Sequence, residues 1–201
     1  MGTTKQQVAE NRQAIVTAAD ALFRLRGVDA VGLNELMGAA GLTRGGFYNH
    51  FTSKDTLVDT VVANAVADGI AALDRAIATA RASGGDPLTQ RISWYMSPEH
   101  RADIVRGCPV AGFAGDARRL GPAARGRYAE GLAATLDRLT ATVRTPGLDE
   151  GEQRARAIAL FSEMVGAVVL SRAVTDVDPA LADEILEGTL ADLYSRTDAT
   201  P

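Results

Sequence analysis

One cysteine and two histidines leave this 201-residue chain short of most catalytic equipment. The single thiol, Cys108, excludes an internal disulfide. The histidines, His50 and His100, join no Cys/His cluster, which excludes a structural zinc site. No uninterrupted apolar run approaches the ~20 residues of a bilayer-spanning helix. The polar start, MGTTKQQVAENRQ, lacks the apolar stretch of a signal peptide. The expectation is therefore a cytoplasmic protein with no membrane contact. Alternating Val, Ile and Thr, the mark of strands, is absent as well, as are internal repeats and low-complexity segments. A strong net charge is missing too: the chain carries −4, no global sign of a polyanion partner. That charge is unevenly spread. Residues 1–54 hold six Lys/Arg against four Asp/Glu, and residues 55–201 hold fifteen against twenty-one. A slightly basic head on an acidic body points towards a polyanion for the head.

What remains is helix. Ile15, Ala18, Ala19, Leu22 and Phe23 form an apolar stripe on a helix over about Lys5 to Arg26, with Gly27 at its C-terminal cap. Leu33, Leu36, Met37 and Ala40 repeat the spacing on a short second helix that Gly41 ends. Thr43 is placed to cap a third short helix through its hydroxyl. Ser53 does the same for a fourth, from about Lys54 to Ala80, which carries Leu57, Val58, Val61, Val62, Ala65 and Val66. Gly- and Pro-bearing breaks then separate helical segments near 88–96, 101–106, 110–119, 122–144, 150–174 and 179–195. The last residues, TDATP, read as frayed.

The stretch GLTRGGFYNHFTSK, residues 41–54, sets three glycines beside a cluster of aromatics. Two short helices joined by AGLT, after a longer one, make a helix-turn-helix. Gly41 supplies the turn, and Leu42 plugs the gap between the helices. Gly45 and Gly46 each cost about 1 kcal/mol of helix stability relative to alanine. In exchange the backbone comes close to a groove. Phe47 and Phe51, four apart, point inward, so Tyr48 and Asn49 point outward. Asn49 suits an adenine edge and Arg44 a guanine edge or a phosphate. Thr43, His50 and Lys54 suit backbone phosphates, which set register rather than sequence. A phosphate-loop reading fails, because Phe47 stands where that motif needs lysine.

The ordered string GVDAVGLNELMGAAGLTRGGFYNHFTSKDTLV resembles the DNA-binding head of the TetR family of transcriptional regulators, over about residues 10–60. The resemblance implies an all-α homodimer of about nine helices. A three-helix helix-turn-helix head (1–53) would sit on a ligand-binding and dimerisation bundle (54–201). It implies a double-stranded DNA operator as partner, repression released by a small-molecule effector, and no cofactor, metal or catalytic residue. The DNA-contact set is Thr43, Arg44, Gly45, Gly46, Tyr48, Asn49, His50 and Lys54. One position departs: Gly32 stands where the family often starts its second helix with Thr or Ser, so no side-chain phosphate contact is assigned there.

In the body, RARAIALFSEMVGAVVLSRAV (154–174) is apolar over most of its circumference. Ala157, Leu160, Phe161, Met164, Ala167 and Val168 are expected to face its own core. The helix 179–196 carries Leu181, Ile185, Leu186, Leu190 and Leu193. By the resemblance, these last two helices pair with those of a second copy. Effector-lining candidates are Trp94, Tyr95, Phe113, Tyr128, Phe161 and Met164, with Met96 beside them. Cys108, in RGCPVAGF, precedes Pro109 near a helix start, where backbone amides favour a thiolate. The surrounding segment resembles a TetR subgroup with Gly-Cys at this place, which implies a sensor of electrophiles. The alternative is a space-filling thiol. His100, in the polar stretch SPEHRAD, is expected in solvent. Two other readings stay open: an enzyme with Cys108 as nucleophile, and a helical adaptor that binds no DNA.

Overall fold

The computed structural model describes residues 4–143 and 147–197, and every regular element among them is helical. In chain order these are α1 (Lys5–Arg26), α2 (Leu33–Ala39), a 3-10 helix (Arg44–Asn49), α3 (Lys54–Ala82), α4 (Pro87–Tyr95) and α5 (Pro98–Ala102). Then follow α6 (Pro109–Gly112), α7 (Pro122–Thr142), α8 (Glu150–Val174) and α9 (Pro179–Thr197). Of the end TDATP, expected to be frayed, Thr197 closes α9 and the other four residues lie outside the described residues. Two compact units emerge. One holds residues 4–68 with Gly112–Glu130, and the other holds the remaining described residues. The divisions fall inside α3, α6 and α7.

The first unit is built on the stripes seen in the sequence. Ile15, Ala19 and Phe23 of α1, Leu36 and Met37 of α2, Phe47, Phe51 and Leu57 are all buried. Gly27 closes α1 with φ +86° and donates its amide to the Phe23 carbonyl at 2.8 Å. Left-handed backbone of this kind favours glycine. The loop that follows is held from two sides. The Lys54 ammonium donates to the carbonyls of Val28 (2.6 Å) and Val31 (2.8 Å). The buried Asp116 carboxylate accepts the Val28 amide at 3.3 Å and pairs with Arg119 at 2.7 Å. These contacts satisfy backbone groups that no helix serves.

In the second unit, all six α8 residues assigned to its own core are buried: Ala157, Leu160, Phe161, Met164, Ala167 and Val168. Ala182, Leu186 and Leu193 meet them from α9, and the buried Ser171 hydroxyl donates to the Ala182 carbonyl at 2.7 Å. Asp149 and Glu152 form a reciprocal capping box at the start of α8, closing two otherwise unpaired amides. Near its other end, Arg172 donates to the carbonyls of His100 (2.7 Å) and Arg101 (2.9 Å), and Arg101 pairs with Asp183 at 2.6 Å. The one-turn helix α5 is thereby pinned to α8 and α9.

Several expectations change. The third helix of the head is 3-10 rather than α. Its amides reach back three residues, as in Gly46 to Thr43 and His50 to Phe47. Two adjacent glycines weaken the α form, and a short 3-10 helix of two turns tolerates them. Thr43 occupies the cap position in extended conformation but its hydroxyl makes no capping bond. The segment 101–106 is helical only to Ala102, because Pro98 starts the turn early with Ser97 as its cap. The segment 110–119 is helical only to Gly112 and then turns, with Asp116 drawn to the Val28 amide.

α3 and α8, 29 and 25 residues long, are apolar enough by length and composition to cross a bilayer. The sequence reading counted uninterrupted apolar runs and so missed them. Averaged hydropathy tolerates one or two charges inside an Ala- and Val-rich helix. In α8 the apolar excess includes the buried core face just described.

Phe47 is fully buried and Tyr48 is 67% exposed. Phe47→Ala is expected to cost about 3–5 kcal/mol of stability. Tyr48→Ala should stay within about 0.5 kcal/mol. Urea denaturation of both variants checks this, and equal losses would mean that the short helix is not anchored by Phe47.

Candidate nucleic-acid interface and body cavity

Phe47 and Phe51 stack with ring centroids 5.9 Å apart, and Arg12 lies over the Phe51 ring at 4.0 Å while donating to the His50 carbonyl at 2.7 Å. The 3-10 helix is thus held by its aromatic side and by the residue after its end. Thr43, Arg44, Gly45, Tyr48 and Asn49 are exposed; Gly46 and His50 are half-buried. Thr43, Gly46, Asn49 and His50 line one surface hollow of about 170 Å³. Four of the eight expected contact residues thus meet round one hollow, and Arg44, Gly45 and Tyr48 are exposed beside it in the chain. Lys54 differs, since two of its three donors are already taken by the Val28 and Val31 carbonyls. The Nδ1 of His50 is buried without a hydrogen-bond partner.

The glycines of this face have no internal cause. Neither Gly45 nor Gly46 has a positive φ. A side chain at Gly45 would meet nothing within 4 Å, and at Gly46 only the Met37 methyl at 3.8 Å and the Thr43 hydroxyl at 3.9 Å. Nothing in the fold demands a missing Cβ at either position.

The second unit contains a cavity of about 480 Å³. Its wall includes Leu73 and Ile77 of α3, Trp94 of α4, and the segment Arg106–Val110. Glycine shapes this wall. A Cβ on Gly69 would stand 2.7 Å from the Pro109 ring, and one on Gly107 would stand 2.5 Å from the Asp103 carbonyl. Close backbone approach at Gly107 presses the next amide, that of Cys108, onto His100 Nε2 at 3.1 Å.

His100 is buried, in contrast to its expected solvation. Glu99 and Arg101 make the stretch look polar, but one turn of helix between Ser97 and Asp103 turns His100 inward. Its Nδ1 donates to the Tyr95 carbonyl at 2.8 Å while Nε2 accepts the Cys108 amide. Its ring lies 4.1 Å from Trp94 and 4.5 Å from Tyr95. Burial lowers its pKa to about 4, so the imidazole is neutral at pH 7. The Tyr95 hydroxyl is buried with the Cys108 sulfur as neighbour and no nitrogen or oxygen partner. Burial first, then Cys108, raises its pKa well above the usual phenol value.

Residues 15–61 match the family model of bacterial regulatory proteins of the tetR family. The transcriptional repressor BepR of Brucella suis is 40% identical over 65 residues, 32% of this chain and 31% of BepR. The repressor KstR2 of Mycobacterium tuberculosis is 27% identical over 150 residues, 72% of this chain and 70% of KstR2. The crystal structure of reduced Escherichia coli NemR superposes with a TM-score of 0.74 at 18% identity, over 94% of this chain and 99% of NemR. The head of the chain is thus similar to that of the tetR family, and the fold as a whole is that of the solved TetR-family structures. The match to BepR spans under a third of that protein, whereas the KstR2 match runs on into the body.

The expected lining residues are placed unevenly. Cys108 and Trp94 line the cavity. Tyr95, Phe161 and Met164 are buried in the core of the same unit, with Tyr95 and Phe161 ring centroids 6.0 Å apart. Phe113 and Tyr128 belong to the first unit, where Phe113 is buried beneath the Arg24 guanidinium. Arg75, Arg91 and Arg106, which do line the cavity, were not among the candidates. Charged side chains carry no apolar spacing signal that would nominate them as lining. Among the described residues no three His, Cys, Asp or Glu side chains converge on a metal-sized site.

The lowered pKa of His100 fixes a sign. Below the ordinary value of 6.5 the unfolded chain takes up the proton first, so the folded state loses stability as pH falls from 6.5 to about 4. The loss is on the order of 3 kcal/mol. The His100 ring proton, followed by NMR, should titrate near 4. A midpoint at the ordinary value would place the ring in solvent.

Proposed function

We propose that this chain is a DNA-binding transcriptional regulator, a repressor that a small molecule releases from a pseudo-palindromic operator. One observation carries the reading. The face of the 3-10 helix presents Tyr48 and Asn49 to solvent, on a backbone whose glycines the fold itself does not require. Contact with an external surface supplies the missing reason, since a groove tolerates close backbone approach only without a side chain. Residues 1–53 act as the head, and residues 54–201 carry the effector and dimer surfaces. Arg44, Tyr48 and Asn49 address bases. Thr43, His50 and the remaining donor of Lys54 address phosphates.

The dimer is assigned to α8 and α9. Ile158, Val169 and Leu170 of α8 and Leu181 of α9 stay exposed after the monomer core is complete. A second copy of the same helices buries them in a four-helix arrangement. Effector and DNA are linked thermodynamically. A compound that binds one conformation better lowers DNA affinity by the difference in its binding free energies.

The relatives are named as transcriptional repressors, which speaks against an enzyme. Geometry agrees: His100 Nε2 accepts the Cys108 amide and so takes no proton from the thiol. The sensor reading of Cys108 gains support from its place in the cavity wall, where a bound electrophile meets the sulfur.

Gly45→Ala tests the DNA reading against a folding role. Alanine should stabilise the head by up to about 1 kcal/mol and at the same time weaken binding to DNA selected from a random pool. Unchanged affinity would remove the backbone from the interface. Tyr48→Ala and Asn49→Ala should each weaken the same complex by about tenfold or more, with the dimer intact by sedimentation. Cys108→Ser should abolish release of DNA by an electrophile such as N-ethylmaleimide; full release in that variant would make the thiol a packing residue.

A further inference from the structure

The charge of the cavity wall is one-sided. Arg75, Arg91 and Arg106 line it, and no Asp or Glu does. Arg106 is matched by Asp103 at 3.2 Å, outside the wall. Arg75 on α3 and Arg91 on α4 make no ion pair among the described residues. Arg91 is the more telling of the two. Its guanidinium lies 4.6 Å from the Trp94 ring centroid and 5.0 Å from that of Tyr95. Its Nε is buried with no hydrogen-bond partner. Burial holds its pKa below the ordinary arginine value, and no carboxylate offsets this.

A buried guanidinium without a counter-charge is costly, and ring faces offset only part of that cost. Its planar fork of N–H groups fits a carboxylate or similar anion in two parallel hydrogen bonds. The rest of the wall offers apolar and aromatic surface, from Leu73, Ile77 and Trp94. The lining thus has two distinct ends of chemistry, a cation with free donors and an apolar slot.

We infer that the cavity takes an organic anion, a carboxylate or equivalent head on an apolar body, with the head on Arg91 and the body against Trp94 and Ile77. Calling this anion the effector rests on the regulator reading above; the ligand class itself rests on the cavity alone. The anion completes the hydrogen bonding of Arg91 and neutralises a charge that the folded chain leaves unmatched. Neutral compounds of the same shape fill the slot without serving the guanidinium.

Trp94 is the single tryptophan of the chain, so its fluorescence reports occupancy directly. Octanoate, 2-naphthoate and biphenyl-4-carboxylate are titrated beside their primary amides at pH 7. At least one acid should bind saturably and about tenfold more tightly than its amide. Arg91→Gln should erase that preference, bringing acid and amide to similar affinity. Arg91→Lys, which keeps the charge, should retain part of the preference and guards against loss through misfolding. Amides that match their acids, an Arg91→Gln protein with the acid preference intact, or no saturable binding by any acid would each overturn the proposal. DNA binding is measured in parallel on the ligand-free protein. Intact DNA binding alongside lost acid preference overturns the ligand class and spares the regulator. Acid preference in a protein that binds no DNA upholds the ligand class and sinks the regulator.

Discussion

The burial of Phe47 is the constraint on which the head depends. One residue later, Tyr48 is largely in water. Such an opposition across a single peptide bond sets the rotation of the short helix about its axis. Phe51 locks the rotation by stacking on Phe47, and Arg12 holds the chain just past the helix end. With the rotation fixed, Asn49 and the glycine backbone share the outer face. Free energy from apolar burial thereby orients polar groups that contribute nothing to folding, the usual economy of a recognition surface on a rigid support.

Glycine serves three different purposes in this chain. At Gly27 and Gly41 it permits left-handed backbone at helix ends. At Gly69 and Gly107 it makes room for other atoms of the same unit, a proline ring and a carbonyl. At Gly45 it does neither. That contrast separates residues retained for the fold from residues whose justification lies outside it.

Much of the head was legible because its determinants are local. The stripes of α1 and α2, the turn glycine and the i, i+4 phenylalanines each follow from spacing alone; Ile15, Ala19, Phe23, Leu36, Met37, Phe47 and Phe51 are buried, while Ala18, Leu22, Leu33 and Ala40 are half-buried at the stripe edges. The 3-10 character was not legible, because propensity says that two glycines weaken an α-helix without saying what replaces it. In α8 the core face was read correctly, since six large or small apolar residues recur at helical spacing. The body cavity was legible only through Cys108 and Trp94. Cavities are defined by side chains that fail to fill space, and periodicity identifies those that do. Phe113 and Tyr128 fell in the other unit because chain neighbourhood does not foretell which unit a loop, or one half of a helix, joins. The inward turn of His100 had a readable signal in Ser97-Pro98, a capped helix start, which places the third residue of a one-turn helix towards the body.

The central claim is that two copies of one outward face read DNA together. Hydroxyl-radical footprinting of the protein on a selected site tests it most directly. The account predicts two protected patches on one side of the duplex, centred about one helical turn apart and related by an approximate two-fold axis. A single protected patch, or protection with no periodic relation between patches, would contradict it.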